Sequence, residues 1–198
     1  VLAWDELTDD DRAHATTIFE QRVFPILTPL AVDPAHPFPY ISNLALNLAA
    51  MVGDPDTGER RFVRVKVPTV FPRLIELPGG HRFVPAEQVI AANLHTLFTG
   101  MIVERHTFFR VTRNSDLSLE EEEADDLLVA VELELRRRRF GRAVRLEVQA
   151  GTDPEVVDLL TRELDLEPDD LSMHAELIDL TCLFQLTSIN RADLKDTT

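Results

Sequence analysis

LALNLAAMVGDPDTGERRFVRVKV, Leu44 to Val67, sets two apolar runs about a polar turn. Leu44 to Val52 is an apolar run of strand length. GDPDTGER follows as a turn rich in Gly, Pro and Asp, and RFVRVKV then alternates strictly. A period of two places Val63, Val65 and Val67 on one face and Phe62, Arg64 and Lys66 on the other. Two such runs about a turn predict a β-hairpin, the seed of an antiparallel sheet.

Working outward, Leu74 to Leu77 predicts a short strand stopped by PGG. Pro85 starts a helix to about Phe98, with Val89, Ile90, Leu94, Leu97 and Phe98 as its apolar stripe. Strands are expected at Ile102 to Glu104 and at Thr107 to Thr112. Ser118-x-x-Glu121 reads as a capping box that opens a helix, with Glu120 to Glu123 in its first turn, Arg136 to Arg139 in its last and Gly141 beyond its end. AVRLEVQA predicts a strand with Val144, Leu146 and Val148 facing in. A helix from Pro154 to about Leu164, capped by Thr152 or Asp153, comes next. The stretch Leu171 to Arg191 has no clear period.

Upstream, Thr8 to Val23 reads as a helix with Thr8 as N-cap, ended by Pro25. FPILTPLAVDPAHPFPYISN, Phe24 to Asn43, carries five of the twelve prolines. Each fixes its own φ and biases its predecessor toward an extended form, so this is a stiff strap and not a helix. Phe24, Ile26, Leu27, Leu30, Val32, Phe38, Tyr40 and Ile41 along it are expected to seek burial. Hairpins mixed with β-α-β succession define an α+β domain with a mixed, largely antiparallel sheet and packed helices, preceded by one lead-in helix.

The chain has 198 residues and a net charge of −15. That balance argues against a general nucleic-acid binder, which needs a dominant basic face. No apolar run is long enough for a membrane-spanning helix, and VLAWDELTDD lacks the basic and apolar regions of a signal peptide. The absence of an initiator Met and the ending RADLKDTT suggest a piece of a longer protein. Cys182 stands alone, so no internal disulfide is available; it reads as a buried small hydrophobe, and this cysteine use fits a cytoplasmic protein.

Enzyme signatures are missing: there is no dinucleotide or P-loop glycine motif, no H-E-x-x-H and no G-x-S-x-G. His14, His36, His81, His95, His106 and His174 stand at no metal-binding spacing. No nucleophile–base constellation supports a small independent enzyme such as a phosphohistidine phosphatase. The arginines carry the remaining chemistry. RRRRFGRAVR reads either as a phosphate-binding run or as the basic end of a helix. In FFRVTRNSDL, Phe109, Val111 and Arg113 share one face and Phe108, Arg110 and Thr112 the other. Arg113 either reaches a cleft from the strand's end or pairs with Asp116 and the acidic helix start.

Taken in order, FPILTPLAVDPAHPFPYISNLALNLA, VKVP, FPRLIELP, FFRVTRNSDL, RRRRFGRAVRLEV and RADLKD resemble bacterial polyphosphate kinases of the first class over nearly the whole chain. The resemblance implies an enzyme that reversibly moves the γ-phosphate of ATP onto polyphosphate through a phosphohistidine. It implies that residues 1–23 are the last helix of an N-terminal helical domain, that 24–43 are the strap leading into a head domain, and that 44–198 are the head. In that family the phosphorylated histidine and most ATP and Mg²⁺ contacts lie in C-terminal domains beyond this span. The head is then expected to bind no cofactor and to be inactive alone, with no histidine here inheriting the catalytic role. The expected partners are the enzyme's remaining domains, a second subunit of a homodimer, and inorganic polyphosphate passing through a tunnel. A polyanion tunnel needs cationic walls. Arg110 and Arg113 are the first candidates, and Arg64 and Lys66 the second. The alternative is a pure dimerisation module whose arginines are satisfied internally.

Overall fold

Apolar residues stand on both faces of the hairpin, and the computed structural model, which describes residues 1–33, 36–114, 141–191 and 193, covers both. Strands β2 (Leu46–Gly53) and β3 (Arg60–Lys66) pair antiparallel as expected, with Asn47 opposite Lys66 and Ala49 opposite Arg64. They sit inside a six-stranded sheet of order β1-β3-β2-β6-β7-β8, where β1 is Leu30–Val32, β6 Ile102–Arg113, β7 Ala143–Gln149 and β8 Leu171–His174. Every neighbouring pair is antiparallel except β7 and β8. A parallel pair needs a crossover. The helix Pro154–Leu164 provides it, capped by the Asp153 carboxylate on the Glu155 N–H. The α+β expectation therefore holds.

Face one of the sheet carries Leu46, Leu48, Ala50, Val52, Val63, Val65 and Val67. Against it pack α1 (Asp9–Ile18) with its continuation Phe19–Val23, the two-stranded hairpin of β4 (Leu74–Glu76) and β5 (Phe83–Pro85), α2 (Ala86–Ala92) and α3 (Leu94–Leu97). Thr8 caps α1 by accepting from the Asp11 N–H, while Asp11 also pairs with Arg82 beside β5. Ala15, Phe19 and Val23 thereby enter the same core as the sheet. Face two carries Ala49, Met51, Phe62, Phe109, Val111, Leu146 and Val148. It is covered by Val156, Leu160 and Leu164 of the crossover helix, here α4, and by Ile41 of the strap. Each such buried aliphatic side chain contributes roughly 1.5–3 kcal/mol.

Several expectations need correcting. The two strands expected between Ile102 and Thr112 are one, β6, because a bulge at Glu104 lets the ladder continue from Arg105 opposite Met51 to Val103 opposite Val52. The helix from Pro85 breaks at Asn93, whose side chain donates to the Val89 carbonyl 2.8 Å away. Val144 faces out, 40% exposed, because a second bulge pairs Arg113 with Ala143 after Thr112 with Arg145 and leaves Val144 as the extra residue. In the strap Ile41 is buried, but Phe24, Ile26, Leu30 and Tyr40 are exposed. A short 3₁₀ turn, Phe24–Ile26, opens it, and the edge strand β1 leaves one side of the strap uncovered. Cys182 is buried as expected. The expected capping box at Ser118, the helix to Arg139 and most of RADLKD lie outside the described residues.

Candidate functional site

The four cations singled out from sequence fall on two different faces. Arg110 sits on face one. Its Nε donates to the Glu147 carboxylate at 2.6 Å, and its Nη1 lies 3.2 Å from Asp179 Oδ1. Cross-strand register puts Arg110 directly opposite Glu147, so this pair is built into the β6–β7 ladder. Arg110 is therefore already spent on two carboxylates.

Face two holds the others. Arg64, in the middle of β3, is only 7% exposed, and its Nε donates to Asn47 Oδ1 at 2.7 Å on the neighbouring strand. Asn47 in turn donates to the Ala45 carbonyl at 2.7 Å, which fixes its amide. Arg64 has no carboxylate partner among the described residues, and burial lowers its pKa from the ordinary value. A guanidinium stays charged regardless. Lys66, two residues on and on the same face, is exposed and carries neither hydrogen bond nor ion pair to the described residues.

Arg113 ends β6 on the same face. Its Nε donates to the Ile41 carbonyl at 2.8 Å and its Nη1 to the Gly141 carbonyl at 2.9 Å. The Tyr40 ring lies 4.4 Å from the guanidinium carbon, a cation–π contact. Burial lowers its pKa, with Tyr40 opposing. None of these partners cancels its charge. By register, Arg113 lies two strands across from Lys66 and four residues further along, roughly 16 Å away at ordinary sheet spacings. Arg64, Lys66 and Arg113 thus share one face of the sheet, with Lys66 and Arg113 at strand ends and Arg64 further in, while Arg110 faces away from them.

Sequence reasoning missed a second cluster. Arg73, just before β4, reaches both oxygens of the buried Glu87 and donates to the Ile178 and Asp179 carbonyls at 2.6 Å each. Burial works against its charge, yet the Glu87 carboxylate more than restores it and the pKa is raised. Asp179, in the left-handed region at φ 62°, caps the segment Leu180–Ser188 and stands between Arg73 and Arg110. The signal available was Arg73 amid FPRLIELP, a charge in a run otherwise shaped for burial. No three His, Cys, Asp or Glu side chains converge on a metal-sized site among the described residues.

This arrangement belongs to a known fold. The structure superposes on the crystal structure of polyphosphate kinase from Porphyromonas gingivalis with a TM-score of 0.68 over 94% of this chain and 26% of that one, at 20% identity. Residues 10–186 match the family described as the polyphosphate kinase middle domain, and the chain belongs to it. Polyphosphate kinase of Streptomyces coelicolor is 53% identical over 98% of this chain, and that of Thermosynechococcus vestitus 49% over 98%. That of Mycobacterium tuberculosis is 44% identical over the whole chain. The chain spans 26 to 29% of the length of these relatives.

Proposed function

We propose that this chain is the head of a polyphosphate kinase, which moves the γ-phosphate of ATP onto inorganic polyphosphate through a phosphohistidine held elsewhere in the enzyme. The head itself transfers no phosphoryl group. It supports assembly of two subunits and guides the polyphosphate chain along face two, where Arg64, Lys66 and Arg113 line the path. ATP and Mg²⁺ are bound by the rest of the enzyme. The observation that carries the polyanion contact is charge without a counter-charge. In a chain of net charge −15, a nearly buried arginine beside a free lysine has no carboxylate neighbour among the described residues. Keeping a cation buried and unpaired is costly, which favours sites that meet an anion from outside.

The alternative, an assembly module without polyphosphate contact, finds its support in Arg110, which is satisfied internally. Titrating long-chain inorganic polyphosphate against the chain over a salt series separates the two. Guidance along face two requires saturable binding that weakens steeply with salt. Arg64→Gln/Lys66→Gln should make the logarithmic salt slope shallower by about one to two, since each contact releases roughly one counterion. Arg110→Gln should leave the slope unchanged. No binding at low salt would overturn direct contact and leave assembly as the role.

A further inference from the structure

The β4–β5 hairpin has an open edge, and its register identifies which backbone groups are free. Ala86 donates to the Arg73 carbonyl at 2.7 Å and Leu77 to the Arg82 carbonyl at 2.8 Å, so the residues between alternate from those two bonded positions. Ile75 and Val84 form the inner hydrogen-bonded pair, while Leu74 and Glu76 turn their N–H and C=O outward. At Leu74 the outward groups are taken by one side-chain amide: the N–H donates to Gln185 Oε1 at 2.9 Å, and Gln185 Nε2 donates to the Leu74 carbonyl at 3.5 Å. A carboxamide is the chemical equivalent of a peptide unit, so Gln185 plays one residue of an added strand. At Glu76, one step on, the N–H and C=O carry no hydrogen bond among the described residues.

This edge opens onto a cleft of about 570 Å³ between the end of the lead-in helix, the hairpin and the stretch Gln185 to Asn190. Ile18, Val23, Phe71 and Ile189 give it an apolar wall. Arg22 stands on its rim, exposed and without an ion pair to the described residues. A paired donor and acceptor at one residue, an apolar wall beside it and a free cation at the rim match an extended peptide better than a small solute.

We propose that the edge of β4 at Glu76 is a strand-addition site, filled by an extended segment from the remaining polypeptide of the same enzyme. Its backbone continues from Gln185 onto the Glu76 N–H and C=O, one apolar side chain enters the cleft, and a neighbouring carboxylate meets Arg22. This rests on the reading above that the chain is one part of a polyphosphate kinase. The relatives are between three and four times as long as the span they share with this chain, so most of such an enzyme lies outside that span. A tethered segment meets the edge at millimolar effective concentration, so a contact with a Kd of about 10 μM would be closed about 99% of the time.

Hydrogen–deuterium exchange resolved at residues 74–78 tests it, run on the longer protein and on the 198-residue chain at two concentrations. In the short chain the Glu76 amide should exchange quickly between protected neighbours; in the longer protein it should slow by about a hundredfold or more. Arg22→Ala in the longer protein should return roughly fivefold of that protection. Rapid exchange at Glu76 in the longer protein, or unchanged protection in Arg22→Ala, overturns the proposal. Protection already present in the short chain also overturns it, and its loss on dilution would assign the edge to a second copy. Polyphosphate synthesis from ATP by the same longer protein reports on the underlying reading separately. Synthesis with a fast Glu76 sinks the strand alone, and a protected Glu76 without synthesis sinks the enzyme reading alone.

Discussion

Removing the Arg73 side chain should damage the fold more than removing Arg73 and Glu87 together. Arg73 engages Glu87 through Nε and Nη2 and holds two carbonyls of residues 178 and 179, with its side chain about 13% exposed and that of Glu87 about 3%. Arg73→Ala leaves the Glu87 carboxylate buried with no cation beside it. Breaking one side of such a pair costs about 3–5 kcal/mol. For a chain of this size that lowers Tm by roughly 6–20 °C. Arg73→Met/Glu87→Leu removes both charges and fills the space with apolar atoms, so it should lie within about 2 kcal/mol of the parent. The two carbonyls freed in both variants keep the double from being fully neutral.

The same contact fastens the segment Leu180–Ser188, which offers a local readout. Cys182 is buried there, and burial holds its thiol above the ordinary value. In Arg73→Ala the segment should detach often enough for a thiol reagent to label Cys182 at least about ten times faster under native conditions. Urea unfolding followed by far-UV circular dichroism gives the global free energy, and labelling kinetics give the local one. Single and double variants equally stable, with Cys182 equally slow in both, would show that Glu87 is not a stranded charge in Arg73→Ala.

Three further outcomes follow from the same geometry. Arg64→Met should keep stability within about 1 kcal/mol, since relief from a buried charge is offset by the orphaned Asn47 amide; the same variant should lose about one unit of the polyphosphate salt slope. Urea titrations and salt-series binding on one preparation check both halves. Asp179 is held below its ordinary value of about 3.8: burial pushes it up, but the Thr181 hydroxyl and N–H, Arg110 and Arg73 outweigh that. A depressed carboxyl contributes stability that is full above its unfolded value and is lost as pH falls through the lower folded one. Unfolding between pH 5 and pH 2 should therefore be less pH-dependent in Asp179→Asn than in the parent, as read by Tm at each pH. Gly141 has φ +65°, and an added Cβ would run into the Asn114 carbonyl oxygen. Gly141→Ala should cost about 1–3 kcal/mol in urea unfolding and loosen the carbonyl that receives Arg113.

The hairpin was readable from sequence because period two leaves no freedom: shifting it by one residue would turn Val63, Val65 and Val67 away from their core. The stripe of the helix after Pro85 was readable for the same reason at period 3.6, and Val89, Ile90 and Leu94 are buried. Periodicity is blind to an inserted residue. Val144 fits the alternation of Leu146 and Val148, yet the bulge opposite Thr112 and Arg113 turns it outward. The strap failed differently. Its apolar residues state a preference for burial, but β1 is an edge strand, and only contacts from distant parts of the chain decide which of its sides is covered.

The arginines mark where local reading stops. Arg110 and Arg64 look alike in sequence, each a cation in an alternating strand, and both were candidates. What separates them is the residue across the ladder. Arg110 faces Glu147, 37 positions away in the chain, while Arg64 faces Ala49, with the neutral Asn47 beside it. Register sets that difference, and register is non-local. Had position 49 or 47 been an acid, Arg64 would be a structural ion pair like Arg110. Asn47→Asp creates that situation by design. It should leave stability within about 1 kcal/mol, because the charge-assisted bond to Arg64 is offset by the lost donation to the Ala45 carbonyl, and it should weaken polyphosphate binding by more than Arg64→Met does, because it adds a negative charge on the proposed path. Equal polyphosphate affinity in Asn47→Asp and the parent would mean that the polyanion never meets this face.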